Sequence, residues 1–514
     1  KDVTENVSVP IPSNDWWTSV LYKRLSDGIA ALPLRFEYFD TGLGFFYASP
    51  IFTAPNSGAM DTKFSNMDLF INTSSIVRTP EARVDGYGDW SVDVVFSDDG
   101  TPKMRNTIVK GSPYVYSTFT DPNSVEISSP AIVGLFDDNN NPILVNDGDT
   151  IVTDHIGIEV KNTNTAPVSE THYRSYGIFA PPGTVFTRVG SKIKIKLGSG
   201  QNYLSVGLLP NKSDLNYMYQ HAYAFVTDTA VTWNYDESTS IVSTTYTDTI
   251  SLKRPDKSGN TLMALFPTQW KYTSHPFTSL EYESARGKMK VIEGNSFTIQ
   301  DRFYGITPSF GEPVESGSYN RDKMIEYLNT FKASVTNDYW VADPYWQGKK
   351  THPLAMGILI AQQLGDYETR DEFISILRKI LINWLTYEGK EEEYPYYLYY
   401  SENWGTINGD GGDHGMAVNL SDHHFLWAYY IFPAAVLAAY DSDFVRDYGA
   451  MLEHMIRDTM NPYKDDPLYP FMRNFDVYEG HSWAGGYGDN QSGNNQESSS
   501  EATFALAGLY LWGL

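Results

Sequence analysis

A chain of 514 residues, 41% of them apolar, exceeds what one compact core holds and calls for two or three domains. Its formal charge of −25 repels nucleic acid and other polyanions and suits a neutral or cationic ligand. The absence of cysteine excludes disulfides, thiol catalysis and zinc–thiolate sites, and no run nears the ~20 apolar residues that span a bilayer. There is no glycine-rich phosphate loop of either common pattern. The sequence starts at Lys1 without a basic-then-apolar leader, so any export signal is expected to have been removed already.

Short strands dominate the first two hundred residues. "WSVDVVF" (Trp90–Phe96), "TIVTDHIGIEV" (Thr150–Val160) and "NYLSVGLL" (Asn202–Leu209) are β-branched or aromatic runs, separated by turn clusters such as "SDDG" and "DDNNNP". "KIKIKL" (Lys192–Leu197) alternates strictly, with one apolar face and one charged. This pattern predicts an antiparallel β-sandwich over residues 1–224. Strand signals continue more weakly through "AVTWNY" and "TLMALF", and residues 225–315 are expected to form a small mixed α/β linking domain.

From about Ser316 the apolar period becomes helical, and residues 316–514 are read as all-α. Amphipathic helices are expected over Asp322–Val335, Asp371–Leu385 and Asp443–Met460. "HFLWAYYIFPAAVLAAY" (His424–Tyr440) is apolar nearly all round and should be buried, with a kink at Pro433. Polar, aromatic loops lie between the helices, notably Glu391–His424 and Met472–Asn490. Loops of this length on a helical scaffold bind something more often than not.

The chain finishes on "GNNQESSSEATFALAGLYLWGL", which sets Glu497 and Glu501 four residues apart. Ser498 with Glu501 fits a capping box, and Asn494 with Glu497 fits a looser one. A helix starting near Asn494 would put both glutamates on one face, about 6 Å apart between Cβ atoms, where like charges repel. Capping therefore accounts for one glutamate and not for the pair. In "NLSDHHF", Asp422 or Ser421 fits an N-cap, and Asp422 also fits an acid whose proton is retained by burial. His423 and His424 point about 100° apart on a helix and cannot easily chelate one ion, so neither a metal nor any other cofactor is expected. Carboxyl groups from Asp422 and the Glu497/Glu501 turn, with aromatic platforms between them, suit glycoside hydrolysis. A protein is 15% aromatic mainly to fill its core, but sugar rings also stack on such side chains.

"LSDHHF", "RNFDVYEGHSWAGG" and "NNQESSSEA" resemble the signature blocks of glycoside hydrolase family 81, the endo-β-1,3-glucanases or laminarinases. "PSNDWWTSVLY", "LPLRFEY" and "GLGFFY" are similar to that family's opening, so the resemblance runs the length of the chain. It implies a β-sandwich, a small linking domain and a C-terminal (α/α)6 toroid, with a groove along their junction and inversion at the anomeric carbon. By the same resemblance Asp422 is the general acid, Glu497 the general base and Glu501 a supporting carboxylate, with about 6.5–9.5 Å between acid and base. Tyr399, Trp404, Asp413, His424, Asn474, Asp476, His481 and Trp483 are expected to contact the glucan.

Two departures stand out. The family usually reads closer to "DHHFHYGYF" where this chain has "DHHFLWAYY", so no role passes to Leu426, Trp427 or Ala428. Only six to eight helices are legible after Ser316, against twelve in a closed toroid, and an incomplete ring would expose apolar helix faces. The resemblance implies an extracellular monomer acting on β-1,3-glucan, with no nucleic-acid partner and no membrane insertion. A glucan-binding protein without turnover and a hydrolase of another polysaccharide are the alternatives.

Overall fold

The computed structural model describes the chain except residues 1–2, 50–51, 55–58, 62–65, 165–169, 199, 315–317, 336–338, 387–395, 410–413 and 491–492. The strand-rich half forms two antiparallel sheets, of eight and nine strands. Strict alternation has the predicted result in Lys192–Lys196, where Ile193 and Ile195 are buried and the three lysines exposed. The sheets meet face to face through aromatic side chains. Tyr38 and Phe45 of one sheet lie 5.5 and 5.7 Å from Phe96 and Tyr176 of the other, and the Tyr38 hydroxyl donates to Asn106 Oδ1 at 3.1 Å. Tyr38, Tyr114, Tyr116 and Tyr176 fill this core with their rings while their hydroxyls find partners.

The next segment is more purely β than expected. It carries two three-stranded sheets and, among its described residues, one four-residue helix, Pro267–Trp270. Its apolar side chains continue the sandwich core, which also takes in Val477, Tyr478 and Trp483 from the far end of the chain. That shared core ties the late loops to the β half.

Among the described residues six helices of 14 to 21 residues follow, within the number legible in the sequence: α1 (Arg321–Ser334), α2 (Pro344–Leu364), α3 (Tyr367–Leu385), α4 (His423–Ala438), α5 (Ser442–Met460) and α6 (Ser499–Gly513). They build a second core around α4, nearly all of whose residues are buried. The sequence gives little sign of α2, because Gly348, Pro353 and Gly357 interrupt it and buried residues surround it on more than one stripe. Packing supplies the reason for the first glycine. A Cβ on Gly348 would sit 2.6 Å from Cβ of Tyr429, so the missing side chain lets α2 and α4 approach closely there. Pro433 lies within a continuous α4 and cannot donate to the Tyr429 carbonyl. The Thr351 hydroxyl of α2 donates to that carbonyl instead, at 2.6 Å.

Candidate active site

The N-terminal block, the α4 entry and the last two loops converge on Asp422. Asn14, at φ 60°, donates from its amide to the carbonyls of Leu420 and Ala484, at 2.8 and 3.0 Å. The Asp422 amide donates to the Ala484 carbonyl at 3.0 Å, and the Ala484 amide to the Asn495 carbonyl at 2.8 Å. Ala484 therefore bridges the acid loop and the glutamate turn. Gly486 makes the bridge possible, since a Cβ there would meet the Asn419 carbonyl oxygen at 2.3 Å.

Asp422 stands at the N-cap position of α4, yet its side chain makes no capping bond and its φ is 62°. The capping explanation thus fails on geometry. A non-glycine residue held in the left-handed region is costly, and such strain gathers at functional positions. Oδ1 of Asp422 is buried with no hydrogen-bond partner among the described residues. Burial, reinforced by the Glu497 charge, pushes its proton affinity up to about 6; His414 and His423 oppose the shift and Glu501 adds to it.

The glutamates differ from the expected arrangement. Helix α6 begins at Ser499 with Ser498 as its N-cap, the Ser498 hydroxyl accepting from the Glu501 amide at 3.4 Å. The alternative box is not formed, because Asn494 is committed to Gly485 and to the Asp15 carbonyl. Glu497 consequently lies outside the helix at φ 59°, exposed, with the Asn495 amide 3.4 Å from Oε2. The two carboxylates do not share a helix face. One is turned out by a left-handed residue and the other is anchored in the first turn of α6.

Glu501 has three partners on one oxygen. Oε1 accepts from the Tyr429 hydroxyl at 2.6 Å, the Lys349 ammonium at 2.9 Å and the Tyr345 hydroxyl at 3.1 Å. Burial works against its charge, but the Tyr429, Lys349 and Ser498 bonds together hold the carboxyl below its ordinary range. Lys349 also donates to the Tyr429 hydroxyl at 2.5 Å, and Tyr345 stacks on His414 at 4.5 Å. None of Tyr345, Lys349, His414 and Tyr429 was foreseen as part of the site.

The expected glucan contacts divide by depth. Tyr399 is 41% exposed on the hairpin of Leu398–Ser401 and Thr406–Gly409. Trp404, at the tip of that hairpin, stacks on Tyr22 at 5.0 Å, and Tyr22 in turn contacts Tyr487 at 3.9 Å. His481 is half-buried, with Nε2 2.9 Å from Glu479, and packs edge-on against the buried Trp483. His424 and Asn474 are wholly buried and Asp476 is 5% exposed, which corrects their assignment to the cleft surface. His424 bonds Ser482, and burial pushes its ring down to about 3, so it stays neutral. Asn474 holds the Trp483 carbonyl. Asp476 accepts from the Trp483 indole at 3.0 Å and pairs with buried Lys110 at 2.9 Å, fastening this loop to the sandwich. Asp413 lies outside the described residues. Among those residues no group of His, Asp and Glu could hold a metal ion.

A β-sandwich joined to a helical layer, with three carboxyl groups gathered at the start of two helices, has close counterparts. Residues 322–514 match the family model described as the glycosyl hydrolase family 81 C-terminal domain. The chain is 36% identical to a glucan endo-1,3-beta-D-glucosidase of Acetivibrio thermocellus and 33% identical to one of Thermobifida fusca. Each match covers 99% of this chain and 62% or 64% of the relative. A solved structure of a mutant glycoside hydrolase family 81 protein from Clostridium thermocellum superposes with a TM-score of 0.85 at 32% identity, covering 100% of this chain and 67% of that one. The chain belongs to glycoside hydrolase family 81. It spans somewhat over three-fifths of the length of the curated relatives it matches.

Proposed function

We propose that this protein is an endo-acting hydrolase of β-1,3-glucan that inverts the anomeric carbon. Asp422 protonates the glycosidic oxygen as the bond to C1 breaks. Glu497 takes a proton from the water that attacks C1 on the opposite face, and Glu501 stays ionised beside it as a supporting charge. The separation between acid and base is then about 6.5–9.5 Å, enough to admit that water. The observation that carries the reading is Asp422 itself: a strained, uncapped, part-buried carboxyl whose proton affinity burial and the Glu497 charge raise to about 6.

The similarity to two glucan endo-1,3-beta-D-glucosidases supports β-1,3-glucan as the substrate, and the acidic, aromatic-rich chain suits a neutral polysaccharide. Tyr399, Trp404 and His481 are proposed to line the glucan path, with the buried Trp483 supporting His481 from beneath, and the protein to act as an extracellular monomer. Domain limits at 224 and 315 fit this division of labour, with the sandwich holding the groove wall and the helices the carboxyl groups. Reducing ends released from laminarin, compared with β-1,4- and α-glucans, test the reading. Release from laminarin alone is expected. Binding without release would mark a glucan-binding protein, and release from another glucan a different hydrolase.

A further inference from the structure

Directly behind Asp422 lies a buried polar cluster that the reaction as described does not use. His423, the first residue of α4, places Nδ1 2.8 Å from Oδ2 of Asp458, and both side chains are buried. Asp458 is the one carboxylate on the buried stripe of α5, and it is well supplied with donors. The Thr406 hydroxyl donates to it at 2.6 Å, the Trp427 indole at 2.7 Å and the Ile407 amide at 3.2 Å, and Arg473 Nε lies 3.7 Å away. On the other side of the imidazole, Nε2 faces the Met416 carbonyl at 3.4 Å, which also accepts from the Leu420 amide. Each ring nitrogen thus lies against a fixed oxygen.

We propose that His423 and Asp458 are a positioning pair for Asp422, holding the turn that presents its carboxyl. The inference rests on the reading of Asp422 as the acid. Leu420 and Asp422 both adopt left-handed backbone, at φ 51° and 62°, and each would relax unless its surroundings prevented it. His423 prevents it by tying Met416, at the start of the turn, to Asp458 on α5 and Thr406 on the hairpin. The histidine has a second effect. Burial, Glu497 and Glu501 raise the proton affinity of Asp422, while His414 and His423 draw it down. His414 is exposed on a loop, whereas His423 is buried against Asp458. An acid tuned near the working pH donates better than one whose proton is held too tightly. Trp427, where the family usually has tyrosine, feeds an indole N–H into this pair.

The test is His423→Gln, assayed on laminarin and on an aryl β-laminaribioside with an activated leaving group. We expect the alkaline limb of kcat/KM on laminarin to move up by about 0.5–1 pH unit. Turnover of laminarin should fall about tenfold or more, with the activated substrate largely spared. An unmoved limb, or equal loss on both substrates, would overturn the proposal. Asp422→Asn on the same pair separates the two claims, because equal loss there removes the acid assignment itself, whereas a spared activated substrate leaves it standing whatever His423→Gln does. Should His423→Gln not fold, neutron diffraction from the unmodified protein decides. A deuteron on His423 Nδ1, directed at Asp458, is expected, and a bare Nδ1 refutes the pair.

Discussion

The Tyr429 hydroxyl donates to Glu501 at 2.6 Å, and the carbonyl of the same tyrosine is the one that Pro433 leaves without a helical donor. Thr351 takes up that carbonyl, and Gly348 lets α2 come close enough for Lys349 to reach the same carboxylate. Helix packing and carboxylate anchoring are thus one arrangement seen from two sides.

This makes Gly348 a sensitive position. Gly348→Ala should lower stability by about 1–3 kcal/mol, since the clash is with the Tyr429 Cβ and not with a flexible tip. Turnover should fall as well, because Tyr429 cannot move without leaving Glu501. Thermal unfolding together with laminarin kinetics checks both.

Lys349→Met should act on the chemistry more than on the fold. The lysine is partly exposed, and its salt bridge of 2.9 Å to Glu501 contributes little stability for that reason. Loss of the donor should cut kcat about 10- to 100-fold with KM nearly unchanged. A change in KM alone would assign Lys349 to substrate binding.

Glu497→Gln should lower turnover of laminarin by about 10²–10⁴-fold while glucan binding, followed by calorimetry, persists. Azide should restore part of the rate by attacking C1 in place of the activated water. Failure to fold would instead point to a structural role for the left-handed Glu497 turn.

Asp422 also predicts a pH dependence of stability. Its folded proton affinity is raised to about 6 by burial and by Glu497, so its contribution is fully present below the unfolded value near 4 and is lost as pH rises through 6. Asp422→Asn should therefore match the native protein at pH 4 and exceed it at pH 8. The gain should be about 1–2 kcal/mol after allowance for partial exposure. Urea unfolding at the two pH values measures it. Equal stability at both would show that the carboxyl is not strained by its surroundings.

How much of this was legible beforehand depends on the range of the contact involved. Alternation in Lys192–Lys196 and the apolar run of α4 are local patterns, and both fold as their periods dictate. Asp422, Glu497 and Glu501 stand in short motifs and could be picked out from them. Their geometry could not, because the choice of Ser498 over Asn494 as the cap was settled by Asn494 bonding Gly485 and Asp15. Tyr345 and Lys349 meet Glu501 across 156 and 152 residues, a separation that no spacing rule reports. Asp458 did leave a trace, as a carboxylate on the buried stripe of α5 with Leu452 and Met455. His424, Asn474 and Asp476 were misjudged because polar residues in a loop motif look alike whether they face the cleft or support it from beneath.

The central claim is that a water, activated by Glu497, attacks from the side opposite the bond that Asp422 protonates. Proton NMR of the first sugar released from laminarin, recorded before mutarotation, reads this out directly. The account predicts an α-anomer at the new reducing end. A β-anomer would mean that configuration is kept, and it would contradict the roles given to both residues.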